Sequence, residues 1–339
     1  MDSLSQLVLG AATGELVLGR KLGNRALWLG ALGGTLPDLD VLAGLWLDPL
    51  DNLAFHRGIT HSALVWVLGG LGLGTLSHRV QRKGPAVGWG QWVLFWFAVL
   101  ATHVLLDCFT LYGTQVWAPF SNARVSWSTI SVADPLYTLP FLLALLVMAR
   151  KGVGTAKRRR WHRLAWAWSC LYLAWTVTNK FQVEAEVREA LTLRGITAQS
   201  VVTTPTILNN VLWSVAVDGG DGFYVGHHSL LDKGPLVLHR VEKGPGVGLG
   251  GQTEEVLRWF SDGFLVVTGE AGDTLQLADL RFGSFATPPV EPTDYIFRFV
   301  VRREEGGWGF VAAEGGPPPG RERDFFPALW NRIWGGEAS

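Results

Sequence analysis

The chain is short of charge. Lys and Arg together number 29, Asp and Glu together also number 29, and charged residues fill only 17% of the 339 positions. An average soluble domain carries about 25%. A nucleic-acid-binding protein would show a basic excess; with zero formal net charge, no nucleic-acid partner is expected. Cysteine is scarce too. Cys108 and Cys170 are the only two, too few for a disulfide framework, and each lies in an apolar run, where cysteine behaves as a small buried hydrophobe. Apolar residues are plentiful: 48% of the chain, with 17 Trp. That content excludes a disordered or collagen-like chain.

The apolar residues are unevenly spread. Up to about Asn179 long apolar runs alternate with short basic clusters, and beyond it short β-like runs alternate with Gly and Pro. The expected fold is a membrane α-helical bundle of five to six helices over residues 1–179. A small α+β domain, mostly antiparallel sheet, follows over 180–339. A membrane helix needs about 20 mostly apolar residues. The runs 26–47, 62–78, 89–111, 135–149 and 161–178 meet or approach that length. The run 4–19 is shorter and contains Glu15, so it reads as an interfacial or re-entrant helix. It does not read as a signal peptide, because no basic residue precedes it and no clear cleavage site follows.

Basic residues near span ends favour the cytoplasmic side. Three clusters qualify: Arg20, Lys21 and Arg25; Arg79, Arg82 and Lys83; and Arg150, Lys151, Lys157, Arg158, Arg159 and Arg160. With all three on the cytoplasmic side, spans 26–47 and 62–78 form one pair and 89–111 and 135–149 another. The last span then carries residues 180–339 out of the cytoplasm, and loops 48–61 and 112–134 face outward. Trp28, Trp46, Trp89, Trp117, Trp127 and Trp161 fall near the predicted span ends, as an aromatic belt would.

Ionisable residues inside apolar spans are costly, and each is a functional-site hypothesis. Asp38 and Asp40 lie in the run from Gly33 to Asp40, His56 and His61 in His56-Arg57-Gly58-Ile59-Thr60-His61-Ser62, and His103 and Asp107 in the span 89–111. The topology puts all six at one depth. His103 and Asp107, four apart, share a helix face and can share a metal or simply hydrogen-bond to pack the bundle. Asp38 and Asp40 would diverge on an intact helix, but Gly33, Gly34 and Pro37 predict a break that lets both face one cavity. Gly58 allows a tight turn, so His56 enters from the loop and His61 from the start of the next helix. Arg57 can offer a fork to an anion. Imidazole with carboxylate suits a divalent metal, Zn first, with Mn, Fe or Ni also compatible. Six donors exceed one tetrahedral site, so either two ions bind or some of the six orient the others.

Several of these motifs carry a resemblance. Pro37-Asp38-Leu39-Asp40, the run His56–Ser62, His103-Val104-Leu105-Leu106-Asp107-Cys108-Phe109-Thr110, Tyr112-Gly113-Thr114-Gln115, Pro119-Phe120-Ser121 and Gly10-Ala11-Ala12-Thr13-Gly14-Glu15 together resemble the YdjM/YbcI-like inner-membrane proteins, called membrane-bound metal-dependent hydrolases. The match spans about residues 1–178, and the longer members with an added C-terminal region resemble the whole chain. The resemblance implies an inner-membrane location and metal-dependent hydrolysis. By position it implies the metal set His56, His61, His103 and Asp107, with Asp38 and Asp40 beside them and Glu15 as a weaker candidate.

The expected activity is hydrolysis of a lipid or lipid-linked substrate near the outer leaflet: a phosphoester, ester or amide. Asp38 or Asp40 would be the general base, Arg57 would hold an anionic group, and Thr60 or Ser62 would donate to developing charge. The alternative is a non-enzymatic membrane protein with a structural or sensory metal and an outer domain that binds a protein partner. A metal-ion transporter would need polar residues through both leaflets, and the inner span halves show few.

In the C-terminal half, 183–193 reads as an amphipathic helix. Runs 211–217 and 222–225 flank a hairpin turn at Asp218-Gly219-Gly220-Asp221, and 236–240, 264–268, 274–280 and 295–302 read as strands. Thr253 is expected to cap a helix ending at Phe260, and 315–320 to form a turn before an aromatic tail. His227, His228 and His239 are scattered and read as exposed or packed residues rather than a second metal site.

Overall fold

The computed structural model describes residues 1–81, 86–243, 248–316 and 322–336. Arg82, Lys83 and the Pro317-Pro318-Pro319 run lie outside the described residues. The chain divides into two compact units: Met1–Trp46 with Phe55–Thr176, and Leu47–Ala54 with Val177–Ser339.

The first unit is helical. Its order is α1 (Ser3–Leu22), α2 (Asn24–Thr35), a 3-10 helix (Pro37–Leu45), α3 (Pro49–Phe55), a 3-10 turn (Ile59–His61), α4 (Ala63–Val80), α5 (Trp89–Cys108), α6 (Pro135–Ala149) and α7 (Ala156–Arg194). All of α3 but Phe55, and α7 from Val177 onward, fall in the second unit. Asp2 starts α1 by accepting the Leu4 and Ser5 amides, and Asp134 starts α6 in the same way at Leu136 and Tyr137. Such caps satisfy the orphan donors of a first turn.

Helices α1 and α2 cross at unusually short range because both carry a small-xxx-small stripe. A Cβ on Gly10 would collide with the Gly30 carbonyl, and one on Gly14 with the Ala26 carbonyl. Close backbone approach through glycine is how helices pack where apolar surroundings give no hydrophobic drive. Helix α5 lays Phe95, Trp96, Val99 and His103 against this pair. Residue Glu15 is held by a bidentate pair with the buried Arg158, at 2.7 and 2.6 Å.

Among the described residues two helices, Ala63–Val80 and Trp89–Cys108, are long and apolar enough to cross a membrane, and the apolar Pro135–Ala149 is shorter. The expected span 26–47 is not one helix. Its α-helical part stops at Thr35, and a 3-10 helix takes over at Pro37, where proline has no amide to continue the ladder. The run 4–19 lies in α1, with most of its residues buried. Residues 161–178 and 183–193 are parts of one 39-residue helix, α7.

The second unit holds two four-stranded antiparallel sheets. The first has the order β1 (Ser200–Pro205), β2 (Leu212–Asp218), β3 (Phe223–Ser229) and β4 (His239–Val241); the second has β5 (Leu265–Ala271), β6 (Thr274–Asp279), β7 (Phe297–Glu304) and β8 (Gly307–Gly315). Helix α8 (Gly251–Phe260) connects them, and α9 (Glu322–Ile333) follows. Strand β2 is buried on both faces. Its Trp213, Val215 and Val217 meet Val183, Val187 and Leu191 of α7, while Ala216 joins a second core with Phe264, Val266 and Ala278. The period-two alternation of strand side chains divides the residues between the two cores.

The hairpin at Asp218–Asp221 is present, with Asp218 paired to Phe223. Three local readings change. Only His239–Val241 pairs at the expected strand 236–240, since Leu236 and Leu238 point into the α7 core. Thr253 is inside α8, which begins at Gly251; Glu254 Oε2 accepts the Gly250 amide at 3.0 Å instead. Strands β1 and β8 and helix α9 are additional elements.

Candidate metal centre

His103 and Asp107 lie one turn apart on α5, and both are fully buried. His103 Nδ1 donates to the Gly34 carbonyl at 2.6 Å. That carbonyl is free because the α-helix ends there. In the 3-10 register its donor would be the amide of residue 37, which proline lacks. A carbonyl only accepts, so Nδ1 carries a proton, and in the neutral ring Nε2 is the nitrogen with the lone pair.

His61 closes the 3-10 turn before Ser62, whose hydroxyl caps α4 at the Val65 amide. The Thr60 hydroxyl donates to Asp40 Oδ2 at 3.0 Å, so its oxygen accepts from His61 Nδ1 at 2.9 Å. His61 Nε2 is therefore also bare. The two bare nitrogens face each other at 3.2 Å. Two lone pairs at that distance repel unless a proton or a metal cation lies between them.

Two carboxylates complete the group. Asp38 Oδ1 is 3.5 Å from both Nε2 atoms. Asp107 Oδ2 is 3.4 Å from both and is buried without a hydrogen-bond partner. The four donor atoms lie within 4.8 Å of one another. A regular tetrahedron around an ion with bonds of about 2.0–2.1 Å has edges of roughly 3.3–3.4 Å. Five of the six observed edges, from 3.2 to 3.5 Å, match it. The buried Asp/His cluster can hold a metal ion, and the orphaned Asp107 oxygen is what such an ion would satisfy.

Asp40 and His56 lie one shell further out. Asp40 accepts from His56 Nδ1 at 2.8 Å, from the Arg57 amide at 3.0 Å and from Thr60. Its carboxylate steadies both histidines, the arrangement that fixes ring orientation around bound metals. Arg57 adopts a positive φ of 58°, which turns its amide to Asp40 and its buried guanidinium the other way. Nη1 donates to Thr110 Oγ1 at 2.9 Å, Nη2 is 3.4 Å from Asp107 Oδ1, and the group lies over the Tyr112 ring at 4.9 Å. Ser62 serves as a helix cap, and Glu15 is engaged with Arg158.

Several contributors were not singled out by the sequence. Gln6 Nε2 donates to Asp107 Oδ1 at 2.9 Å and to the His103 carbonyl at 3.2 Å; its polarity inside the apolar run 4–19 was the available signal. The Met1 amine also lies on Asp107 Oδ1. Thr110 and Tyr112 stand within the quoted motifs, but their partners are far away in sequence. Three carboxylates, Asp38, Asp40 and Asp107, outnumber the Arg57 guanidinium and the Met1 amine facing them, so a cation is electrostatically favoured.

Residues 1–183 match the family model described as YdjM inner membrane protein, and the chain belongs to that family. Uncharacterized protein YfhP of Bacillus subtilis (strain 168) is 22% identical over 330 residues, covering 91% of this chain and 96% of YfhP. Inner membrane protein YbcI of Escherichia coli (strain K12) is 33% identical over 146 residues, covering 40% of this chain and 82% of YbcI. YfhP thus shares the longer form with a C-terminal region, while the YbcI match is confined to a shorter stretch. No solved structure matches.

Proposed function

We propose that the chain is a membrane-bound metal-dependent hydrolase acting on a lipid or lipid-linked substrate near the outer leaflet. The observation that carries this reading is the tetrahedron of Asp38, His61, His103 and Asp107 with the Asp40–His56 pair at its more exposed side. Family membership supports the membrane location. A multi-pass topology with the C-terminal unit outside the cytoplasm follows from the basic clusters and is part of the proposal. The metal is divalent, Zn first and Mn, Fe or Ni next, as a two-imidazole, two-carboxylate donor set suits. Such an ion lowers the pKa of a bound water toward ~7.

The side chains divide the remaining work. Asp38, with 21% of its side chain exposed, is the ligand nearest to solvent and can accept a proton there. His56, 28% exposed, is oriented by Asp40 and can move a proton at Nε2, while Thr60 holds the His61 ring. Arg57 is engaged with Thr110 and Asp107, so it positions the Asp107 carboxylate instead of clamping an anion.

A second reading has its own observation. Four protein donors already complete a tetrahedron, as in a closed structural centre, which favours a structural or sensory metal and a C-terminal unit that binds a partner protein. The test uses detergent-purified protein. Metal content is measured for wild type and for His61→Ala, His103→Ala and His56→Ala, and turnover is followed on phospholipid and ester substrates. The hydrolase reading expects metal loss in the first two variants, and retained metal with lost turnover in the third. Unchanged metal in both ligand variants removes the centre. A metal-replete wild type that cleaves neither substrate class leaves the closed-centre reading.

A further inference from the structure

In the second unit, the α7 residues Gln182, Glu186, Glu189 and Leu193 recur at helical spacing. They form one wall of a cavity of about 520 Å³. The opposite wall is the loop after β3, from Leu230 to Leu236. Helix α7 packs on the sheet through a different face, Val183, Val187 and Leu191, so the stripe is not consumed by the core. Glu184 on the same helix is neutralised by Lys180 and Arg188. Glu186 and Glu189 make no ion pair among the described residues.

The floor holds an unsatisfied group. His228, only 6% exposed, lines the cavity, and its Nδ1 is buried without a hydrogen-bond partner. The nearest carboxylate, Asp232, lies 3.6 Å from it. Asp232 is fully committed elsewhere: Arg332 grips both its oxygens at 2.6 Å, and the Ser229 amide donates to it at 2.8 Å. A buried imidazole edge left without a partner costs free energy that a ligand can recover.

We propose that this cavity binds a primary alkyl-ammonium group. Its charge faces Glu186 and Glu189, its methylene stem lies along Leu193 and Pro235, and a small side-chain shift at the floor opens His228 to its N–H. A free polyamine and the lysine side chain of a partner polypeptide share this chemistry. Lys233 on the rim would meet an anionic group carried next to the amine. The site uses no residue of the metal centre.

The test is calorimetric titration of the full chain in detergent, with 1,5-diaminopentane in one arm and the tripeptide Gly-Lys-Gly in the other. Saturable binding is expected in both. Glu186→Gln with Glu189→Gln, both on the helix surface, should weaken it roughly tenfold, the sum of two solvent-accessible charge contacts. Tighter binding of the peptide assigns the source to a polypeptide, and equal binding assigns it to free amines. Absence of binding at millimolar concentration of either probe overturns the proposal. So does equal affinity in the double variant, with circular dichroism confirming its fold.

Discussion

The two units place their polar and apolar residues in opposite ways. In the helical unit, α4 buries only Gly70 and Gly74 and exposes Leu64, Val67, Leu68, Leu71 and Leu76. The interior of that unit meanwhile holds His61, His103, Asp107 and Arg57. In the sheet unit Trp213, Val215, Val217, Phe260 and Phe299 are buried and the β7 end Arg302, Arg303 and Glu304 is exposed, with the Arg281–Asp279 pair a buried exception. Exposed Leu and Val with buried charge suits an apolar surround, where hydrophobic burial gives little and polar pairing specifies the fold. The reverse pattern suits water. The contrast supports the membrane reading for the first unit without requiring it for the second.

Four changes would sharpen or break this contrast. The largest effect is expected from His103→Ala or Asp107→Ala. Either should reduce metal content from about one ion per chain to near zero, read by elemental analysis, while the sheet unit keeps its circular-dichroism signature. Next is Arg281→Met. Arg281 is buried and bidentate on the fully buried Asp279, Nε donating to Oδ1 and Nη2 to Oδ2. Removing the guanidinium takes its counter-charge away from a buried carboxylate, at a cost of up to about 3–5 kcal/mol, and should lower the chemical-denaturation midpoint of the sheet unit with metal content unchanged. Third is Gly10→Leu, which drives a side chain into the Gly30 carbonyl. Overpacking typically costs about 1–3 kcal/mol, and here it should lower the thermal midpoint of the helical unit in detergent.

The smallest effect is a pH dependence confined to the sheet unit. Burial, aided by the Arg332 charge, pushes His227 down from 6.5 to about 4. The folded state therefore disfavours its protonated form. The stability this neutral ring contributes is fully present above pH 6.5 and declines as pH falls toward 4. His227→Gln should flatten the decline in denaturation curves recorded across that window, and an identical slope in the variant would remove His227 as its source.

Much of the helical unit was legible, because helical spacing is a local property. His103 and Asp107 four apart could be set on one face without knowing anything else, and the break near Pro37 followed from proline's missing amide. The separate fates of Asp38 and Asp40 were not legible. One reaches the imidazoles and the other turns to His56 and Arg57, and that choice depends on 3-10 geometry and on neighbours contributed by other segments. Gln6 and the Gly34 carbonyl lie 97 and 69 residues from the His103 groups they bond, and no local pattern announces such contacts. Strand β1 ends in proline and β8 is rich in glycine. The Val and Thr of β1 suit a strand as they stand, whereas at β8 pairing with β7 overrides local preference.

The ring of Pro37 reaches further than the helix it interrupts. By withholding one amide it leaves an acceptor on Gly34, that acceptor decides which nitrogen of His103 carries hydrogen, and the remaining nitrogen is the one presented to a cation. A backbone irregularity is thereby converted into a ligand's protonation state. Evolution could retune the basicity of this centre by editing a residue that never touches it.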